Sequence, residues 1–345
     1  MGNTSFTKDI AIETSSDNFQ VSYVSTPWAK GFSCEPGKCG LCCITQVPDT
    51  APKTKNSNFN RGLCAWVDLK NKTCKKYDMR PTSCRVYPFL LGYELGKFII
   101  SPSLECPGCI SEPEIDEKII HNIFENYNFI GTVNTLRRIY KIIMLDSNQE
   151  QHINLKWNDF KKDIQNFFNQ KISFPFLTNF FSSIYGERLE IPAIGAFKMT
   201  EGFYIATKFT SHHIYCAKTK GNKISIRRFD DINEIEHIEL KPKYLDIGMD
   251  DGATNLFRDY ISLLCSRPFL SLASVLKFNQ HDNKNAFQHL QGCFNGSLRT
   301  VEAGAALIAQ RDNLTIIDRN SMREIISYAE GNTHSLFINP SNIRL

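Results

Sequence analysis

Between Cys34 and Cys43 the sequence CEPGKCGLCC places four thiols within ten residues, two of them adjacent. Thiolates are nucleophiles, redox groups and soft metal ligands, and such a density points to one of those chemistries. Nine of the twelve cysteines (Cys34, Cys39, Cys42, Cys43, Cys64, Cys74, Cys84, Cys106 and Cys109) fall between residues 34 and 109; Cys216, Cys265 and Cys293 lie beyond, in apolar contexts that read as structural. In a secreted domain this spacing would mean disulfides. Here the first residues, MGNTSFTKDIAIETSSDNF, lack the apolar stretch of a secretory signal, and no later run approaches the length of a membrane span. Phe6 stands where a myristoylation signal needs Ser or Thr. The expectation is a cytoplasmic protein without membrane attachment, whose thiols stay reduced and bind metal. Hyperthermophiles, which do keep disulfides inside the cell, avoid the Asn so frequent in stretches such as IHNIFENYNFIGTVN.

The pair Cys39 and Cys42 has C-x2-C spacing, which turns two sulfurs toward one ion or one cluster corner. Adjacent residues of an extended stretch point in opposite directions, so Cys42 and Cys43 are expected to serve different centres, or one a centre and the other a reactive role. No histidine precedes His121. Mixed Cys/His zinc fingers are thereby excluded, while all-thiolate zinc and iron-sulfur clusters both remain open.

The ordered stretches FSCEPGKCGLCC, GLCAWVDLKNKTCKKYDMRPTSCRVYPF and ECPG resemble the CxxCxxCC (YkgJ-like) family of zinc- or iron-chelating cysteine-cluster proteins over about residues 31 to 110. The resemblance implies a metal centre, often an iron-sulfur cluster, with Cys34, Cys39, Cys42, Cys43, Cys64, Cys74, Cys84 and Cys106 as ligands. It departs from the family in the EPGK insertion after Cys34, and in Cys109, which is additional to the usual set. Flagellin lysine N-methylases contain a similar region, so the alternative activity implied is S-adenosylmethionine-dependent methylation of a protein lysine. A protein substrate or a redox partner follows from one or the other activity. No catalytic residue carries over.

These thiols need a scaffold. Stretches such as VPDTAPKTKNSNFNRG and SPSLECPGC are turn-rich and poor in periodic apolar runs, so the region needs staples that metal can provide. The fold class expected is α+β. A polar N-terminal segment (1–30) precedes a small, metal-stapled cysteine-rich region (31–110). A mixed domain (111–345) comes next, with helices over 115–186, antiparallel strands over 194–240 and helices over 253–330. The helical signals are Ile119, Ile120, Ile123 and Phe124, and later Phe160, Ile164, Phe167 and Phe168. Alternation in FYIATKF, HHIYCAKTKGNKISIRRF and EIEHIEL reads as a meander turning at Glu201-Gly202 and Gly221-Asn222. Pro268 is expected to bend or divide the helix that begins near Ala253.

Around Cys84, Pro81 biases Arg80 away from helix and presents the thiol from a turn or a first helical turn. Arg80 and Arg85 read either as charge compensation for that thiolate or as surface ion pairs. Trp66, Tyr77, Tyr87 and Phe89 read as a small core. The net charge of +4 arises wholly before residue 111, where 13 Lys and Arg face 9 Asp and Glu. The basic stretch KNKTCKKYDMR reads as a solvated loop carrying ligands, which argues against a nucleic-acid partner. In YLDIGMDDGATNLF an aspartate, Asp250, replaces the middle glycine of a nucleotide-binding turn, so the stretch reads as a strand-to-helix loop and S-adenosylmethionine has no clear motif.

Overall fold

The computed structural model describes residues 5–13, 18–34, 66–68, 70–71, 73–80, 82–94, 97–110, 113–126, 159, 162, 203–206, 213–220, 223–230, 233–239, 241–244, 247–267, 301 and 304–336. Helices and strands both occur, in the α+β class that the sequence implies. No helix among the described residues is long and apolar enough to cross a membrane.

The first sheet begins where the sequence reads as merely polar. Strands β1 (Phe6–Glu13) and β2 (Asn18–Ser25) form an antiparallel hairpin, with Ile10 opposite Val21 and Ile12 opposite Phe19. Alternation explains why the segment looks polar on average: Ile10 and Ile12 are buried, whereas Thr7, Asp9, Ala11 and Glu13 face solvent. β2 pairs in parallel with β7 (Lys97–Pro102), Tyr23 opposite Ile100, and β7 pairs antiparallel with β6 (Phe89–Glu94). The sheet order is β1-β2-β7-β6.

Helix α2 (Glu117–Asn126) covers one face of this sheet with Ile120, Ile123 and Phe124, which recur at helical spacing and are buried. Phe124 meets Phe98 edge-to-face at 6.1 Å, and Phe89 meets both Tyr23 and Phe32. Of the aromatic side chains expected to form a small core, Phe89 is buried, but Tyr77 lies exposed beneath the Arg80 guanidinium.

The meander is present as β9 (Phe203–Ala206), β10 (His213–Lys220), β11 (Lys223–Asp230) and β12 (Asn233–Glu239), all antiparallel neighbours in chain order. Lys220 pairs with Lys223, and the turn expected at Gly221-Asn222 between them lies outside the described residues. The Glu201-Gly202 turn, the helices expected between 127 and 186 and the bend at Pro268 lie outside the described residues, apart from helical positions Asp159 and Lys162.

The C-terminal part repeats one arrangement. β13 (Gly248–Met249) leads through Asp250 into α3 (Asp251–Cys265), and β14 (Ile316–Ile317) leads through Asp318 into α5 (Arg319–Leu336); residues 304–312 form α4. The two short strands pair in parallel. Each aspartate caps its helix, Asp250 Oδ1 accepting from the Ala253 N–H at 2.7 Å and Asp318 Oδ1 from the Ser321 N–H at 2.8 Å. Gly252 lets the two helix starts approach, since a Cβ there would lie 3.2 Å from that of Arg319. Leu256, Phe257 and Tyr260 of α3, Leu307 and Ile308 of α4, and Met322, Ile325 and Ile326 of α5 are all buried.

On α3, burial pushes the Asp259 carboxyl up to about 6, against the opposing pull of Arg319. Its folded pKa exceeds the unfolded value, so the native state binds the proton more tightly and loses stability as pH rises from about 4 to about 6. Asp259→Asn is expected to raise stability to urea near pH 7 by about 1 kcal/mol, less than the full shift because the group is half-exposed. Near pH 4 the variant should match the parent protein.

Candidate metal centre

The two ends of the cysteine-rich region meet in a short antiparallel pair. β3 (Gly31–Phe32) lies against β8 (Cys109–Ile110), with Phe32 opposite Cys109 and Gly31 opposite Ile110. The pairing continues past Phe32 where Ser33 N–H donates to Gly108 O at 2.9 Å, which brings Cys34 alongside the turn that carries Cys106. Two glycines permit the approach. A Cβ on Gly108 would collide with Ser33 O, and one on Gly31 with Pro113 O.

That turn is compact. Cys106 N–H donates to Ser103 O and Cys109 N–H to Cys106 O, both at 3.1 Å, and the Cys109 thiol also donates to Ser103 O at 3.2 Å. Cys106 and Cys109 are both buried. The neighbouring Cys109 thiol, reinforced by burial, holds the Cys106 thiol well above its ordinary range. Metal binding at such a pair has to displace protons. Cys109, which stands outside the ligand set implied by resemblance, is thus the immediate partner of Cys106. Its C-x2-C spacing, the same as that of Cys39 and Cys42, was the available signal.

Cys84 lies half-buried on α1 (Thr82–Val86), the short helix placed after Pro81 as its sequence implies. Val86 and Phe89 anchor the segment after this helix in the sheet core, and Pro88 O accepts from Ser103 N–H at 2.8 Å. Both flanking arginines bind main-chain carbonyls. Arg85 donates to Arg80 O at 2.7 Å and Asp78 O at 2.6 Å, and Arg80 donates to Tyr77 O at 2.9 Å. They brace the turn Tyr77–Met79 that delivers Cys84.

Cys74 ends β5 (Thr73–Cys74), which pairs with β4 (Val67–Asp68) so that Cys74 is opposite Val67. Between them Asp68 accepts from the Asn71 main chain and side chain, bonds that also lower its carboxyl pKa. Cys39, Cys42, Cys43 and Cys64 lie outside the described residues. Among the described residues no group of three or more His, Cys, Asp or Glu is placed to hold a metal ion. The fold does bring together the buried pair Cys106 and Cys109, with the segment of Cys34 beside it; Cys74 and Cys84 lie on separate elements. Cys265 is buried on α3.

The nucleotide-like stretch before α3 is a strand-to-helix connection, and Asp250 itself occupies the first amides of the helix. Sequence reasoning missed Arg267 and Glu330, a fully buried ion pair that ties this C-terminal part to the cysteine-bearing turn. No protein-family model, no curated protein and no solved structure matches the chain.

Proposed function

We propose that this protein is a cytoplasmic metal-binding protein, in which Cys34, Cys39, Cys42, Cys43, Cys64, Cys74, Cys84 and Cys106 hold an iron-sulfur centre in preference to zinc. The observation that carries the reading is the β3–β8 closure, which sets Cys34 beside the buried Cys106–Cys109 turn and so gathers the start and the end of the cysteine-rich stretch at one place. Two neighbouring thiols with C-x2-C spacing in a reduced compartment suit metal ligation. With no family model matching, the reading stands on this chain's own residues. The test is purification without oxygen, then metal analysis, an acid-labile sulfide assay and an absorption spectrum. Iron with labile sulfide is expected. Colourless protein with stoichiometric zinc rejects the iron assignment, and protein without either metal rejects metal binding altogether.

A further inference from the structure

One face of α5 grips the cysteine turn. Arg323, Ser327 and Glu330, spaced by four and three residues, lie on the same side of the helix. Arg323 Nη2 donates to Cys109 O at 3.2 Å, Ser327 Oγ donates to Glu105 O at 3.2 Å, and Glu330 Oε2 accepts from Leu104 N–H at 3.1 Å. Arg267, at the end of α3, adds a bond from Nη2 to Pro102 O at 2.7 Å. The main chain from Pro102 to Cys109 is therefore fixed at four points by residues more than 150 positions later in the chain. A turn whose only task is to connect β7 to β8 needs no such clamp. A ligand pair does, because holding two donor atoms in place beforehand removes the ordering cost from the binding step.

The surroundings suit sulfur ligands. Arg323 lies 5.8 Å over the ring of Trp28 and places a positive charge beside Cys109, whose sulfur is a thiolate when metal is bound. The Trp28 indole N–H beneath it is buried without an acceptor among the described residues.

We infer that Cys106 and Cys109 act together as a two-thiolate bite for the metal, set in geometry from outside the cysteine-rich region by the positioning residues Arg323, Ser327 and Glu330. The inference rests on the metal-binding reading above and adds to it a ninth ligand and a role for the C-terminal domain. The test uses the full chain, reduced and metal-free, titrated with cadmium ion alone and monitored by the thiolate-to-cadmium charge-transfer absorption. Cys109→Ser is expected to lose as much of the band as Cys106→Ser. The double variant R323A/S327A should reach the parent's full band yet release cadmium to a chelator roughly tenfold faster, in the range typical of residues that orient ligands. Alkylation of buried Cys265 in that variant should stay at the parent rate. A Cys109→Ser protein with an undiminished band, or an R323A/S327A protein with the parent's release rate, overturns the inference and leaves the metal-binding reading intact. Faster release accompanied by a reactive Cys265 overturns it too, since the whole fold has then loosened. A parent protein that gives no band overturns both.

Discussion

Replacing Arg267 by Met while Glu330 remains is expected to cost about 3–5 kcal/mol of stability, whereas the double replacement R267M/E330M stays within about 1–2 kcal/mol of the parent. Both side chains are only 1% exposed. The guanidinium donates from Nη1 to both carboxylate oxygens of Glu330, at 3.1 and 2.9 Å, from Nε to Ser101 Oγ at 2.7 Å and from Nη2 to Pro102 O. Ser101 Oγ in turn donates to Val24 O at 2.6 Å. Without Arg267 a buried carboxylate keeps, among the described residues, only the Leu104 N–H. Its desolvation penalty then stands uncompensated in the single variant alone, which is why that change is worse than the double one; the lost bond to Pro102 O is common to both. Urea unfolding of the three proteins measures the difference. Equal losses in the single and double variants would show that packing of the arginine stem, and not charge pairing, dominates at this site.

How much of this could be read beforehand differs between elements for physical reasons. Helix α2 announces itself because its burial follows a local period of 3.6, and the meander because apolar residues alternate along its sequence with a period of 2. The hairpin β1–β2 has the period as well, in Ile10 and Ile12 opposite Val21 and Phe19, yet its exposed half is polar enough to dominate a composition count. The parallel pairing of β2 with β7 joins positions some 77 residues apart, as in the Ser101–Val24 bond, and no local pattern encodes it. β14 has two residues, too few to show any period. Glu330 did leave a trace. It extends the buried series Met322, Ile326 by a further four residues, so a charge sits on the apolar stripe of α5, and a charge in that place requires a partner. The partner's identity depended on where α3 ends relative to β7, which only the tertiary structure supplies. At the candidate centre, spacing alone paired Cys39 with Cys42; the same spacing in Cys106 and Cys109 acquired meaning once both thiols proved buried in one turn.

On the proposed metal-binding reading, chelation is expected to expose the chain between Cys34 and Cys84 to protease well before the rest, and to leave β1, β2, β6, β7 and α2 resistant. The sequence suggested that all of 31–110 depends on metal, but its last part belongs to a core that needs none. Val86, Phe89, Phe98 and Ile100 pack with Ile10, Ile12, Val21 and Tyr23 of the hairpin and with Ile120, Ile123 and Phe124 of α2. Burial of a Val, Leu, Ile or Phe side chain contributes about 1.5–3 kcal/mol, and a dozen such residues suffice to keep a sheet and helix together. By contrast the described elements around Cys74 amount to a two-strand hairpin of two residues per strand, below the size that is stable alone. There, binding at the proposed centre would supply the folding free energy, on the order of 10 kcal/mol for a structural thiolate site. Limited proteolysis of the chelated protein, with fragments placed by mass, reads the outcome directly. Early cuts confined between Cys34 and Cys84 support this division. Cuts within β6, β7 or α2 appearing at the same time would mean that the sheet core also depends on the metal, and that β3–β8 closure transmits its loss inward.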